Sequence, residues 1–172
     1  SASKPRALIT FDDGYLNNFD VACPVLEESG LPYTIFLTTN FITQDNSTFM
    51  SWGQVEELSR GNLATLGAHC QNHFNLRALE PKDKHLEIIG SKRIIEERTG
   101  IDVNTFSYPG GGYDEQSLDI VSQNFQLGFK DRYSGDDEDM RKFARLSIDA
   151  KHNDFKAFLI EMARAQYLGA KP

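Results

Sequence analysis

The chain has 172 residues, enough for one domain to bury a hydrophobic core without disulfides or a structural metal. A net charge of −7, with no lysine- or arginine-rich run, argues against nucleic acid or an anionic membrane surface as the main partner. The longest apolar stretches, such as YTIFL at 33–37, are too short to span a bilayer, so we expect no transmembrane segment. The first residues lack a signal-peptide pattern, which leaves the location open.

Strands and helices are predicted to alternate along the chain. In order they are a strand at 6–11, a helix at 17–30, a strand at 32–39, a helix at 51–61, a strand at 62–69, a helix at 81–100, a strand at 103–109, a helix at 114–125, strands at 127–131 and 144–149, and a helix at 153–167. Ser51 is expected to cap the second helix, and Pro81 and Gly100 to bound the third. Such alternation is typical of parallel strands with helical crossovers, in either a barrel or a doubly wound sheet, and we expect a single domain over 1–172.

The polar residues of greatest interest follow the predicted strands. Asp12 and Asp13 end the first strand, His69 ends the third, and SYPGGG at 107–112 ends the fourth. In both architectures the carboxyl ends of the strands meet at one rim, where binding and catalysis take place. We therefore expect these segments to form one site.

Two short motifs in these segments indicate a metal-dependent hydrolase. In HCQNH, at 69–73, the histidines are four residues apart, so their imidazoles face the same way on a helical turn or in a tight loop. Two imidazoles and one carboxylate are a typical zinc donor set with a position left for water. Asp12 and Asp13 repel each other at the end of an apolar strand, and a cation would relieve that repulsion. We expect one of them to bind metal and the other to act as a base, although HxxxH alone can be a surface helix and DDG alone a turn.

These motifs resemble those of the NodB-homology polysaccharide deacetylases, carbohydrate esterase family 4. TFDDG at 10–14 is similar to the family's first motif, and HCQNH to the second, with Cys70 in place of serine or threonine. FSYPGGGYD at 106–114 is similar to the third, in a variant with aromatic–Pro in place of Arg-x-Pro. The resemblance extends from about residue 6 to residue 150.

The resemblance implies an α/β fold, a distorted (β/α) barrel with fewer than eight strands. It implies removal of acetyl groups from N-acetylated sugars of a polysaccharide or glycoconjugate, at the cell envelope or outside the cell. A divalent metal, commonly Zn²⁺, would be held by Asp13, His69 and His73. Asp12 would be the general base toward water, and the backbone N–H of Gly110 would stabilise the negative charge on the carbonyl oxygen.

Two departures from the family pattern affect the mechanism. Ser107 stands where the third motif often has an arginine that holds the catalytic aspartate, and we expect Arg145 to supply that cation, the alternative being an ordinary surface arginine. The family's late motif supplies a histidine as general acid for the leaving amine. His152 falls at roughly that place without the Leu-x-His pattern, whereas His85 is interpreted as a solvated helix residue.

Substrate contacts are expected around the glycine turn. Tyr108 and Tyr113 flank it and are candidates to stack on sugar rings, whereas Trp52, in a short helix, is expected to pack in the core. Pro109 is expected to fix the turn. Pro109 and Arg145 are also expected among the residues that line the substrate site. Cys70 is interpreted as a small residue in loop packing.

The sequence is also compatible with two other functions. An O-acetyl esterase would use the same chemistry on an ester, whose better leaving group needs less help from an acid. A carbohydrate-binding domain that has lost turnover is the non-enzymatic alternative. The four residues Asp12, Asp13, His69 and His73 argue against it, because a binding domain has no need for a base beside three metal ligands.

Overall fold

Six parallel strands form the sheet of this chain, in a computed structural model that describes residues 7–44, 46–131 and 139–148. The strands are β1 (Ile9–Phe11), β2 (Tyr33–Leu37), β3 (Ala64–Ala68), β4 (Thr105–Ser107), β5 (Leu127–Lys130) and β6 (Phe143–Ala144). Their order across the sheet is their order in the chain, and every neighbouring pair is parallel. A doubly wound sheet would need a reversal of strand order, so the sheet curls in one direction as an incomplete barrel. The predicted distorted barrel with fewer than eight strands is confirmed.

In the described part of the chain, five α-helices accompany the strands: α1 (Cys23–Glu28), α2 (Thr39–Thr43), α3 (Trp52–Ser59), α4 (Pro81–Thr99) and α5 (Glu115–Asn124). Ser51 caps α3 in a capping box, and Gly100, with φ of 74°, ends α4, as predicted. The helix predicted at 17–30 is divided, because a π-helical turn over Asn18–Ala22 precedes α1. Pro24 lies in the first turn of α1 and has no N–H to give to the turn before it.

The hydrophobic core lies between the sheet and its helices. All residues of β2 are buried, and Tyr33, Ile35 and Leu37 point to the helix side because side chains alternate along a strand. The same cluster includes Val55, Leu66, Ile88, Ile95, Phe106, Leu118 and Val121. On the opposite face Phe36 packs against Phe129, with ring centroids 5.3 Å apart. A Cβ added to Gly67 would lie 2.4 Å from the Phe36 ring, so glycine at this position is what lets the ring fit.

The last predicted strand is shorter than expected. Of residues 144–148, the described part of that prediction, only Ala144 belongs to β6, which pairs with β5 through Phe129–Phe143 and Lys130–Ala144. Because β5 ends at Lys130, the pairing between the two strands ends at Ala144 among the residues that the structure describes. The helix predicted at 153–167 and His152 lie outside the described residues. Within the described ranges, no helix has the length and apolar character needed to cross a membrane.

Candidate active site

The carboxyl ends of the strands carry a cluster of polar side chains. Its members are Asp12 and Asp13 after β1, His69 and His73 after β3, Ser107 at the end of β4, Asp131 after β5 and Arg145 after β6. Parallel strands in sequential order place these ends side by side, which is why residues far apart in the chain meet here.

Asp13, His69 and His73 form a group that could hold a metal ion, since their ligand atoms all lie within 4.8 Å of one another. The Asp13 Oδ1 lies 3.4 Å from the His73 Nε2 and 3.6 Å from the His69 Nε2. The His69 ring nitrogen Nδ1 is 2.7 Å from the Ser107 carbonyl oxygen, to which it donates as N–H. That hydrogen bond leaves the Nε2 lone pair free for a cation. Burial lowers the pKa of His69, which favours the neutral ring that a metal ligand requires.

The backbone is strained at these ligands. Asp13, Cys70 and His73 have φ of 70°, 64° and 58°, the left-handed region that side-chain-bearing residues rarely adopt. Each such residue costs roughly 1–3 kcal/mol and persists only where surrounding contacts hold it. Two of the three are members of the metal-ligand group, and Cys70 lies between the two histidines. Strain concentrated in this way is typical of a functional site.

Asp12 is held by a two-point ion pair with Arg145. The guanidinium donates from Nη1 to Oδ1 at 2.7 Å and from Nη2 to Oδ2 at 2.6 Å, while the Ser107 hydroxyl donates to Oδ2 at 3.2 Å. Burial raises the pKa of Asp12, but the hydrogen bond and the positive charge of Arg145, together with the hydrogen bond from Ser107, more than offset this and hold the pKa below its usual range. The carboxylate is therefore ionised and fixed in orientation. The predicted contact between Arg145 and the aspartate is present in the structure.

The sequence pattern does not identify Asp131 as part of this site. Its Oδ1 accepts a hydrogen bond from Arg145 Nη2 at 2.7 Å, so the guanidinium lies between two carboxylates. Its position directly after β5 could have identified it, because Asp12 is identified in the same way by its position directly after β1.

The third motif contributes a turn with one exposed glycine. Pro109 is buried and begins a 3₁₀ turn over Pro109–Gly111, in which Gly110 is exposed and has φ of 56°. Tyr108 is fully buried and its hydroxyl donates to the Arg141 carbonyl oxygen at 2.9 Å, so the expectation that its ring stacks on a sugar is wrong. The reason is strand alternation: Ser107 faces the site, and the next side chain faces the core. Tyr113 is half-buried and keeps an accessible part.

Tyr15, which lies just outside the TFDDG motif, is beside the metal-ligand group. It is 41% exposed, and burial together with the nearby Asp13 carboxylate raises the pKa of its hydroxyl. Its ring stacks on Phe49 at 5.0 Å, Phe49 stacks on Phe41 at 4.5 Å, and Phe41 lies 6.0 Å from the His73 ring. The four rings thus form a row, and the two at its ends, those of Tyr15 and His73, both lie near Asp13. The signal in the sequence is a tyrosine directly after DDG.

The other candidate residues lie away from the reacting groups. His85 is exposed on α4, as interpreted. Trp52 packs against the core, and its Nε1 donates to the Thr43 hydroxyl at 3.2 Å. Cys70 is fully buried and burial raises the pKa of its thiol well above the usual range, which fits a packing role and makes it a poor nucleophile.

The amino-acid sequence also matches the family model for polysaccharide deacetylases, over residues 1–127. The chain belongs to the polysaccharide deacetylase family. The protein YxkH of Bacillus subtilis (strain 168) is 27% identical over 165 residues, which cover 93% of this chain and 58% of YxkH. This deacetylase-family chain thus spans little more than half the length of that curated relative.

Solved structures of the family share the fold. The Streptococcus pyogenes deacetylase PplD, solved in complex with acetate, superposes with a TM-score of 0.82 at 21% identity, over 94% of this chain and 72% of PplD. BA3943 of Bacillus anthracis, a CE4 family pseudoenzyme, superposes with a TM-score of 0.70 at 17% identity, over 94% of this chain and 52% of BA3943. Because the fold occurs in an enzyme and in a pseudoenzyme, activity must be argued from the residues of this site.

Proposed function

We propose that this chain is a metal-dependent hydrolase that removes acetyl groups from N-acetylated sugars of a polysaccharide or glycoconjugate. The observation that carries the proposal is the position of Asp12 beside the metal-ligand group. Its Oδ2 lies 3.8 Å from the His69 Nε2, while Arg145 and Ser107 hold the carboxylate in one orientation. An ionised, fixed carboxylate next to three potential ligands is the arrangement that activation of water requires.

Asp13, His69 and His73 would hold the cation, and we propose Zn²⁺. The donor separations of 3.4 and 3.6 Å support this choice, because metal–ligand bonds of about 2.0–2.1 Å in a tetrahedron put neighbouring donors roughly 3.4 Å apart. When bound, the ion supplies Lewis-acid activation of water and of the acetyl carbonyl. The neutral His69 ring, oriented by Ser107, has its Nε2 lone pair ready for this purpose.

The residues of the chain would then divide the reaction between them. Asp12 accepts a proton from the water as the water oxygen forms a bond to the acetyl carbon. The N–H of Gly110, exposed in its turn, donates to the carbonyl oxygen as negative charge develops there. The C–N bond breaks when the amine nitrogen receives a proton, and His152 is our candidate for that acid.

The sugar would lie over the exposed aromatic surface beside the ligands. Tyr15 offers a ring face next to Asp13, and Tyr113 a half-exposed ring beside the glycine turn. Aromatic faces suit the C–H surface of a pyranose, and an uncharged amide substrate is compatible with a chain of net charge −7. The polymer would thus cross the rim from Tyr15 to Tyr113.

Metal content and acetate release test the proposal. The purified chain is stripped with a chelator and titrated with Zn²⁺, and acetate is then measured from N-acetylglucosamine oligomers and from acetylated xylan. We expect one bound ion per chain and metal-dependent acetate release from the oligomers. Acetate from the xylan alone would make the chain an O-acetyl esterase. Absence of both metal binding and acetate release would overturn the proposal and place the chain with the pseudoenzymes.

A further inference from the structure

The loop that carries both histidines is attached to α4 through one buried carboxylate. Glu87 is only 6% exposed and accepts hydrogen bonds from the backbone N–H of Gln71 at 3.0 Å and of Asn72 at 2.8 Å, both through Oε2. Its Oε1 accepts a third, from the Asn72 side-chain amide at 2.5 Å. The two backbone donors lie between His69 and His73 in the chain, so Glu87 fixes the segment that separates the two imidazoles.

The opposite edge of the same loop is attached to α2. The backbone N–H of Thr39 donates to the Cys70 carbonyl oxygen at 3.3 Å, and that of Asn40 donates to the Gln71 carbonyl oxygen at 2.9 Å. The Asn40 side chain adds a bond to the Asn72 Oδ1 at 2.5 Å. Two backbone amides of the loop are therefore bound by α4, and two of its backbone carbonyls by α2. A short loop held along both edges can keep its residues in strained conformations.

The surface of α4 is shaped to receive this loop. The Gln71 side-chain amide donates to the Leu86 carbonyl oxygen at 2.7 Å. A Cβ added at Gly90 would lie 2.1 Å from the Gln71 Nε2 and 2.8 Å from its Cδ, so the Gln71 side chain occupies the space that any larger residue would fill. The contact between loop and helix is thus close along its length and centres on Glu87.

We propose that Glu87 is a positioning residue for the metal site, which keeps His69 and His73 at the separation that one cation requires. The inference rests on the proposed function, since it concerns the same ion. Cys70 and His73 have left-handed backbone. Without the contacts that hold the loop, we expect this backbone to relax toward extended or helical values, which would move the His73 imidazole away from Asp13. Without Glu87 the two backbone N–H groups lose their acceptor, and the ligands are no longer ordered before the metal binds.

Zn²⁺ titration of chelator-stripped protein by calorimetry tests this role in Glu87→Ala and Glu87→Gln. We expect Glu87→Ala to weaken Zn²⁺ binding by roughly 10- to 100-fold, the effect typical of groups that orient metal ligands. Glu87→Gln keeps one acceptor oxygen for the backbone N–H groups, so we expect it to recover most of that loss. Ile95→Val, a buried change on the same helix away from the loop, is the matched control and should bind Zn²⁺ as the unmodified chain does.

The increase in melting temperature on adding Zn²⁺ separates positioning from simple stabilisation. A merely structural Glu87 would lower the melting temperature with and without Zn²⁺ by the same amount, and that result, or unchanged affinity in Glu87→Ala, would overturn the inference. If Glu87→Ala does not fold, Asn72→Ala keeps Glu87 and both of its backbone bonds but removes the side-chain bonds of the loop to Glu87 and to Asn40, and it is expected to weaken Zn²⁺ binding several-fold. If Asn72→Ala bound Zn²⁺ as tightly as Glu87→Gln and the unmodified chain do, that result would also overturn the inference. Failure of the unmodified chain to bind Zn²⁺ would instead contradict the proposed function.

Discussion

Arg145 and Asp12 are 133 positions apart in the chain and form a two-point ion pair, with N–O distances of 2.7 and 2.6 Å. Ser107 completes the arrangement, because its hydroxyl accepts from Arg145 Nη2 at 2.8 Å and donates to Asp12 Oδ2 at 3.2 Å. The guanidinium thus reaches the aspartate from β6, the far edge of the sheet from β1. A planar fork matched to a carboxylate fixes the direction of the Asp12 lone pairs as well as the charge.

Replacement of Arg145 is expected to reduce turnover without loss of metal. In Arg145→Met the Asp12 carboxylate loses its two-point ion pair, and we expect kcat for acetate release to fall by about 100- to 1,000-fold, within the range that a positioned base contributes. Arg145→Lys should recover little, because an ammonium does not reproduce the two parallel bonds. Arg93→Met, which removes an exposed arginine paired with Glu97, is the control. Turnover in Arg145→Met equal to that of the control would contradict this role.

The two adjacent aspartates are expected to fail in different ways. Asp12→Asn should abolish turnover and leave Zn²⁺ bound, because the amide cannot accept the proton of water while the three ligands stay intact. Asp13→Asn should weaken Zn²⁺ binding by at least tenfold, since it removes the one anionic ligand of the group. Zinc content after gel filtration and acetate release measure the two properties separately. The reverse pattern would exchange the two assigned roles.

Tyr15 is expected to contribute to substrate binding through its ring. In Tyr15→Ala the exposed face beside Asp13 is lost, and we expect KM for N-acetylglucosamine oligomers to rise several-fold with a smaller change in kcat. Tyr15→Phe keeps the ring and its stacking on Phe49, so its KM should stay close to that of the unmodified chain. Kinetics over a range of oligomer lengths check this. An equal rise of KM in both variants would show that the hydroxyl, and not the ring, is the substrate contact.

Sequence patterns locate the ends of elements wherever local chemistry decides them. Ser51 and Gly100 bound their helices as expected, because capping and left-handed geometry depend on neighbours in the chain. By contrast, α2 is not predicted: its sequence, TNFIT, is rich in β-branched residues, which favour a strand. The helix forms there because its first N–H groups donate to the carbonyl oxygens of the histidine loop, a contact that no local pattern shows.

The site is predictable to the extent that it follows from strand ends. That rule places Asp12, Asp13 and His69 together, and it applies equally to Asp131. Alternation along β4 also decides that Tyr108 points into the core, so this correction was available from the sequence. The contact between Glu87 and the histidine loop could not be predicted from the sequence, because it depends on how α4 packs over a loop 15 positions away in the chain.

The ion pair between Lys84 and Asp114 is expected to stabilise the fold in a pH-dependent way. Lys84, of which 6% of the side chain is exposed, donates to the Asp114 carboxylate that caps α5. Burial raises the pKa of Asp114, but the hydrogen bonds from Lys84 and from the Ser117 backbone more than offset this, so the pKa lies below its usual value. A lowered carboxyl pKa contributes stability that is present above the pKa of the unfolded chain and is lost as pH falls through the folded pKa.

Asp114→Asn isolates this charge, because asparagine is as good a helix cap as aspartate. We expect the free energy of unfolding near pH 7 to fall by roughly 1–3 kcal/mol, less than for a fully buried pair because 32% of the Asp114 side chain is exposed. The difference from the unmodified chain should begin to shrink below about pH 4, where Asp114 takes up a proton in the unfolded chain. It should be lost as pH falls through the lower pKa of Asp114 in the folded chain. Glu97→Gln, at an exposed ion pair with Arg93, should cost less than about 0.5 kcal/mol. Urea unfolding at several pH values measures the free energy of unfolding of both variants. If the difference for Asp114→Asn stayed undiminished well below the pKa of Asp114 in the folded chain, the charge of the ion pair would not be the source of that difference.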